Sequence, residues 1–182
     1  MTSPDRPPVL TVVACGAGPA STVTALAGQA IDRGWAVQVV ATPAAIAFLD
    51  TAAIEKQTGN SVRSQYSPPG SARSKVPDVI IVAPATYNTI CKWASGTSDT
   101  YALGILAEMT GMGVPVIVLP YVNAALASRA PFRRSVESLR DEGVRILLGP
   151  GLIEPHQPRN GNDPAAFPWH LALDEAERLL RS

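Results

Sequence analysis

The segment Val9-Leu10-Thr11-Val12-Val13-Ala14 constrains this chain more than any other. It is mostly β-branched, and no polar residues alternate along it to mark a wet face. A strand of that kind is buried on both sides, as in a parallel sheet covered by helices. A small-residue loop follows, Cys15-Gly16-Ala17-Gly18-Pro19-Ala20-Ser21. Then Val23, Leu26, Ala27, Ala30 and Ile31 fall on one helical face, and Gly34 stops the helix. Val37 to Ala41 is a second buried strand. Thr42 suits the cap and Pro43 the first position of the next helix. Val79 to Ala83 is a third strand, followed by helical stretches at Ile90 to Ala94 and Tyr101 to Met109. Val114 to Leu119 is a fourth, with Pro115 confined to its start or edge. Phe132, Val136 and Leu139 share a helical face that Gly143 ends. Val144 to Leu148 is the last strand, and Leu171 to Leu180 a closing helix. Strands alternating with helices specify an α/β chain with a mostly parallel sheet.

The 182 residues fit one domain. Residues 1–8 hold Pro4, Pro7 and Pro8 and read as a disordered lead, leaving 9–182 as the folded unit. Two stretches interrupt the alternation. Residues 60–77 contain Pro68-Pro69-Gly70 with Arg63, Arg73 and Lys75. Residues 149–170 are rich in Gly and Pro but end on Phe167-Pro168-Trp169-His170, too apolar for a plain linker. Loops this long in such a domain are functional or disordered, and 149–170 reads as a flap.

Fifteen Lys and Arg balance fifteen Asp and Glu. That balance argues against a nucleic-acid partner, which needs a basic surplus. A low-charge neutral surface favours association, so a homo-oligomer is expected. Two cysteines, Cys15 and Cys91, make neither a disulfide framework nor a four-ligand zinc site; no metal is expected. Val12-Val13-Ala14-Cys15 matches a lipoprotein box by letters, but Asp5 cancels Arg6 and the apolar run is too short for an export signal. No stretch approaches the roughly 18 apolar residues of a membrane span. The expected setting is the cytoplasm, without membrane contact.

Ligands of open parallel sheets bind beyond the carboxyl ends of the strands. Three loops lie there. Gly16 and Gly18 let backbone N–H groups approach an anion at a helix start, although a plain tight turn uses the same residues. The loop is neither G-x-G-x-x-G nor a P-loop. Thr42 offers a hydroxyl, or simply a cap. Pro84-Ala85-Thr86-Tyr87-Asn88-Thr89 presents hydroxyls and an amide, a set able to bind a phosphate or the polar edge of a heterocycle without charge.

Pro84 to Thr89, followed by Lys92-Trp93-Ala94-Ser95-Gly96-Thr97-Ser98-Asp99, resembles the Pro-Ala-Ser-Ala-Asn-Thr motif and its sequel in the homo-oligomeric flavin-containing cysteine decarboxylases. Pro120-Tyr121-Val122-Asn123 resembles their second motif, Pro-x-Met-Asn-x-x-Met-Trp. Val39 to Phe48 is similar to their second strand and helix. The resemblance implies a flavodoxin-like, Rossmann-like three-layer doubly wound parallel sheet binding FMN between subunits of a trimer or a multiple of one. It implies that Gly16, Ala17, Gly18 and Thr42 meet the FMN phosphate and that Phe48 packs on the flavin. It places Thr86, Tyr87, Asn88 and Thr89 along the ring and ribityl chain, with Tyr121 touching the cofactor through its backbone. Asn123 then faces the carboxylate of a small-molecule or peptidic substrate.

The departures are chemical. The family's catalytic His belongs in the loop before the Pro84 strand, near Gly70, and residues 60–83 contain none. Val122, Leu126 and Ala127 replace the second motif's Met and Trp, and no Cys follows Cys91 to serve in a flap. The sequence thus reads as an FMN-binding lyase-like flavoprotein with altered substrate or activity. A non-catalytic FMN-binding regulatory subunit and a flavin prenyltransferase are the alternatives. His156, between prolines in the flap, is the imidazole that titrates in the useful range and can reach the site. His170 at a helix start reads as a packed residue. Arg129, Arg133 and Arg134 read as solvated surface or as carboxylate binders.

Overall fold

The computed structural model describes residues 6–68, 70, 75–161 and 163–181. The run Val9–Ala14 forms β1, and all six of its residues are buried. β2 (Ala36–Ala41) pairs with one edge of β1 and β3 (Val79–Ala85) with the other, both in parallel. β4 (Val116–Pro120) and β5 (Arg145–Ile146) continue the sheet in the order β2-β1-β3-β4-β5. The register sets Leu10 between Val37 and Val79, and Val13 between Val40 and Val82.

The helices, in chain order, are α1 (Val23–Asp32), α2 (Thr51–Thr58), α3 (Tyr87–Ala94), α4 (Tyr101–Gly111), α5 (Ala124–Ala127), α6 (Ala130–Asp141) and α7 (Trp169–Arg181). Leu10, Val12, Ile81, Ile117 and Leu119 meet Leu26 of α1, Ile54 of α2 and Leu173 of α7 on one face of the sheet. Val13, Ile80, Val82 and Val118 meet Ile90 of α3, Leu106 of α4 and Phe132 of α6 on the other. Period-two alternation thus survives inside runs that are apolar throughout, because both faces need apolar partners. The result is the three-layer doubly wound sheet of the flavodoxin-like fold.

Several expectations change in detail. The helix expected after Thr42 is split. A 3-10 segment covers Pro43–Phe48, and Asp50 then starts α2 by accepting the Ala53 N–H at 2.9 Å. The last strand shrinks from five residues to two. Its continuation folds back at Gly149, whose N–H donates to the Ile153 carbonyl at 3.0 Å. Pro115 precedes β4, and its carbonyl accepts from Ile80 at 2.9 Å. Gly34, at φ +83°, turns the chain from α1 into β2, as its position after the helix foretells.

Part of the stretch read as a disordered lead, residues 6–8, lies within the described residues. These residues are tied to the sheet: Arg6 pairs with Asp78 at 2.9 Å, and the Pro8 carbonyl accepts from Ala36 at 2.9 Å. Residues 1–5 lie outside the described residues, as do Pro69 and residues 71–74 with Arg73. Arg63 extends the free edge of β2, accepting from Ala41 at 2.8 Å and donating to Val39 at 3.0 Å. The 149–168 segment crosses the carboxyl edge of the sheet. It pairs with residues 122–124 and ends against the start of α1, where the Thr22 hydroxyl donates to the Pro164 carbonyl at 3.2 Å.

α7 is fastened to the far edge of the sheet by charge. Glu175 accepts from Arg178 and from Arg145 of β5, each at 2.8 Å or less. The Arg178 hydrogen bonds, and then those of Arg145, hold its carboxyl down to about 2 from an ordinary 4.5, against the opposing effect of partial burial. A depressed carboxyl contributes stability that is present above its unfolded range and lost as pH falls through the folded value. Glu175→Gln is therefore expected to destabilise the protein at neutral pH. The difference from wild type should shrink as pH falls from 4.5 toward 2. Thermal melts across that range check it; a difference independent of pH refutes the linkage.

Candidate functional site

β1 and β3 are neighbours in the sheet, yet the chain leaves them in opposite directions. α1 packs on one face and α3 on the other. The crevice that opens between two such connections is where open parallel sheets bind ligands. Cys15 bridges its floor, its N–H donating to the Pro84 carbonyl at 3.2 Å.

Gly16 is fixed by packing. A Cβ there would lie 2.8 Å from the Ala44 carbonyl oxygen and 2.9 Å from its carbon. The first loop and the 3-10 segment after β2 therefore approach closely only with glycine at this position. Gly18 differs, since a Cβ there would only touch Pro164 at 3.8 Å. Ala17 is extended, and Gly18–Thr22 forms a 3-10 turn leading into α1.

Thr42 stands beside this loop. Its N–H donates to the Ala14 carbonyl at 2.9 Å. Its hydroxyl is buried and has no hydrogen-bond partner. Pro43 brings no N–H, and the Ala45 N–H goes to the Thr42 carbonyl, so the turn leaves the hydroxyl out. An unpaired buried hydroxyl costs about 1–3 kcal/mol. It marks a position where a ligand acceptor fits. Phe48 ends the segment with 43% of its surface exposed, beside Ile46 at 39%.

In the third loop Thr86 caps α3, its hydroxyl lying 3.4 Å from the Thr89 N–H and 3.1 Å from the Thr89 hydroxyl. The Cys15 thiol reaches the same pair. Burial pushes its pKa up, opposed by hydrogen bonds from Thr89 and Thr86. It is protonated at neutral pH, a packing residue rather than a nucleophile. Asn88 is exposed. Tyr87 is half-buried against the helical layer: its ring stacks on Phe132 at 5.7 Å, and its hydroxyl accepts from Arg129 at 3.0 Å. Its side chain thus serves to join α3 to α6.

The fourth strand brings Tyr121 and Asn123. The Tyr121 N–H donates to the Ala85 carbonyl at 2.8 Å, tying this loop to the third. Asn123 caps α5, accepting from Leu126 at 2.9 Å. His156, 33 residues further on, is brought alongside by a parallel bridge to Asn123. Its ring lies 4.6 Å from that of Tyr121, and its Nδ1 is 3.0 Å from the Gln157 carbonyl. The two residues expected to carry chemistry are therefore neighbours. A cleft of about 390 Å³ opens beside them between the end of β4 and the 152–168 segment. The sequence gives no periodic or motif signal for its lining residues Glu154, Asp163 and Phe167. None of Gly16, Thr42, Phe48 or Thr86 lines this cleft, so it does not coincide with the β1/β3 crevice.

Among the described residues no group of three or more His, Cys, Asp or Glu is placed to hold a metal. No helix among them is long and apolar enough to cross a membrane.

The flavoprotein family model matches residues 2–163. The chain belongs to the flavoprotein family. It is 29% identical over 126 residues to the coenzyme A biosynthesis bifunctional protein CoaBC of Escherichia coli K12, covering 65% of this chain and 30% of that protein. The match thus spans under a third of the bifunctional relative. Among solved structures, SpaF, an FMN-dependent cysteine decarboxylase, superposes with a TM-score of 0.68 at 26% identity, over 93% of this chain and 97% of that one. A PPC decarboxylase mutant complexed with pantothenoylaminoethenethiol superposes at 0.72 over 97% of this chain and 100% of that one. At 18% identity it shares the fold.

In this flavoprotein the Gly16–Ala44 approach couples the first two loops of the site. Gly16→Ala is expected to lower stability by about 1–3 kcal/mol through overpacking, whereas Gly18→Ala should be close to neutral. Denaturant unfolding of the two variants separates them; equal effects would show that the close approach does not govern the loop.

Proposed function

We propose that this chain binds FMN in the β1/β3 crevice and acts on a small-molecule or peptidic substrate beside Asn123. Support for the cofactor comes from family membership and from the Thr42 hydroxyl, buried and unpartnered next to the Gly16–Gly18 loop. The donor set fits a phosphate ester: backbone N–H groups of Gly16, Ala17 and Gly18 at a helix start, with the Thr42 hydroxyl. Phe48 covers the flavin, while Thr86, Asn88, Thr89 and the backbones of Tyr87 and Tyr121 line its ring and ribityl chain. Exposed Ile46 and Phe48 favour a site completed by a second copy, hence a homo-oligomer, with a trimer as the reading. The free cysteines suit a cytoplasmic setting.

When bound, the cofactor supplies a two-electron acceptor. The protein supplies position and a proton route. The Asn123 amide NH₂ remains available to orient a substrate carboxylate, since its oxygen is spent on Leu126. The Gln157 carbonyl can only accept, so it holds the proton of His156 on Nδ1 and leaves Nε2 free to take one. On this reading the base is His156, carried by the 149–170 flap. Residues 60–83 hold no His, and this favours an activity altered from cysteine decarboxylation.

The deciding experiment is flavin binding by Thr42→Val, which removes the hydroxyl and keeps the shape. Wild type is expected to take up FMN, seen as flavin absorbance retained on the protein. The variant should bind at least about tenfold more weakly, the loss of one hydrogen bond to a charged group. Its apo form should melt no lower than wild type, because an unpaired buried hydroxyl has gone. No FMN uptake by wild type, or undiminished affinity in the variant, overturns the proposal.

A further inference from the structure

The cleft beside Asn123 has a chemistry of its own. Pro120, Val122 and Ile153 give it an apolar floor, and the rings of Tyr121 and Phe167, 6.0 Å apart, form part of its wall. At about 390 Å³ it lies within the roughly 300–1,000 Å³ of small-molecule sites. Its charged groups are two carboxylates, Glu154 and Asp163, and no Lys or Arg lines it. Among the described residues neither carboxylate has an ion-pair partner. Asp163 spends Oδ1 on the Ala165 N–H at 3.0 Å and keeps Oδ2. His156 adds a third acceptor, because the Gln157 carbonyl fixes its proton on Nδ1. The cleft therefore presents acceptors, negative charge and aromatic faces together.

We propose that this cleft recognises an organic cation, a primary ammonium or guanidinium on a short aliphatic stem. The stem lies along Tyr121 and Phe167, where an aromatic face also attracts the cationic head. The head donates to Glu154, Asp163 and Nε2 of His156. A phosphate or carboxylate would face two uncompensated carboxylates and is disfavoured. The backbone bridge from Asn123 to His156, which lines the cleft, sets the cleft beside the loop assigned to the substrate. Its role as the substrate's amine-binding end rests on the proposed function. Its preference for cations does not.

The test uses the protein incubated with FMN, with FMN uptake read separately by absorbance. Agmatine and glutarate are titrated by calorimetry, as cation and anion of similar length. Agmatine is expected to bind and glutarate not. Glu154→Gln with Asp163→Asn, which keeps the Ala165 cap, should weaken agmatine at least about fivefold and leave FMN affinity unchanged. Binding of agmatine to wild type should also weaken as salt is raised, a readout independent of whether the variant folds. N-acetyl-Lys-amide then separates sources: tighter binding than agmatine identifies a peptide side chain, and weaker binding a free amine. Failure of agmatine to bind, equal binding of glutarate, or agmatine affinity indifferent to both salt and the double substitution overturns the proposal. An absence of FMN uptake alongside intact agmatine binding would instead count against the flavin site alone.

Discussion

Everything in this molecule follows from β1 being buried on both faces. Each face needs its own helical cover, and successive connections must take different sides. α1 carries the chain to one face and α3 to the other. The loops after β1 and β3 therefore diverge, and a crevice opens between them at the carboxyl edge. The same apolar requirement that stabilises the sheet thus leaves a gap at one end of it. On the other side of the first loop, Gly16 lets the backbone near Ala44, after β2, close against it.

Hydrogen-bond accounting at this edge separates structural polar groups from available ones. Thr86, Asn123 and Asp50 each spend an oxygen on a helix N-terminus, the ordinary use of such residues. Thr42 holds the same kind of position but not the same kind of partner. A 3-10 turn directs the Ala45 N–H to the carbonyl, and Pro43 has no N–H to donate. The Thr42 hydroxyl is the exception among these four helix-start side chains, and this is why it carries more weight for function than the glycines around it.

The sheet was legible because apolar β-branched runs have few alternative fates. Val9–Ala14 and Val79–Ala83 read directly as doubly buried strands. Asn123 and His156 each read as a candidate for chemistry, yet nothing in the sequence pairs them, since backbone bridging across 33 residues leaves no local pattern. Tyr87 illustrates the opposite limit. Its place in a motif marks it for the ligand, while its ring finds Phe132 and its hydroxyl finds Arg129, contacts set by how α3 packs on α6. The shortened β5 has a similar origin: Val144 to Leu148 has strand propensity throughout. The glycines at 149 and 151 instead return the chain across the sheet edge, and the Arg140 guanidinium takes up the Ile146 and Leu148 carbonyls at 3.1 and 3.2 Å.

Net charge conceals the feature that most bears on specificity. Fifteen charges of each sign cancel over the chain, but they do not cancel around the site. Arg129 stands at the start of α6, held by Tyr87, and among the described residues it has no carboxylate partner. Glu154 and Asp163 line the cleft, and among the described residues neither has a cationic partner. Segregated charges of this kind create local potentials that a neutral total does not reveal. A zwitterionic or amine-bearing ligand would be oriented by them, and an anion would be turned away from the flap. Neutrality of the whole chain is therefore compatible with a site that discriminates strongly by charge.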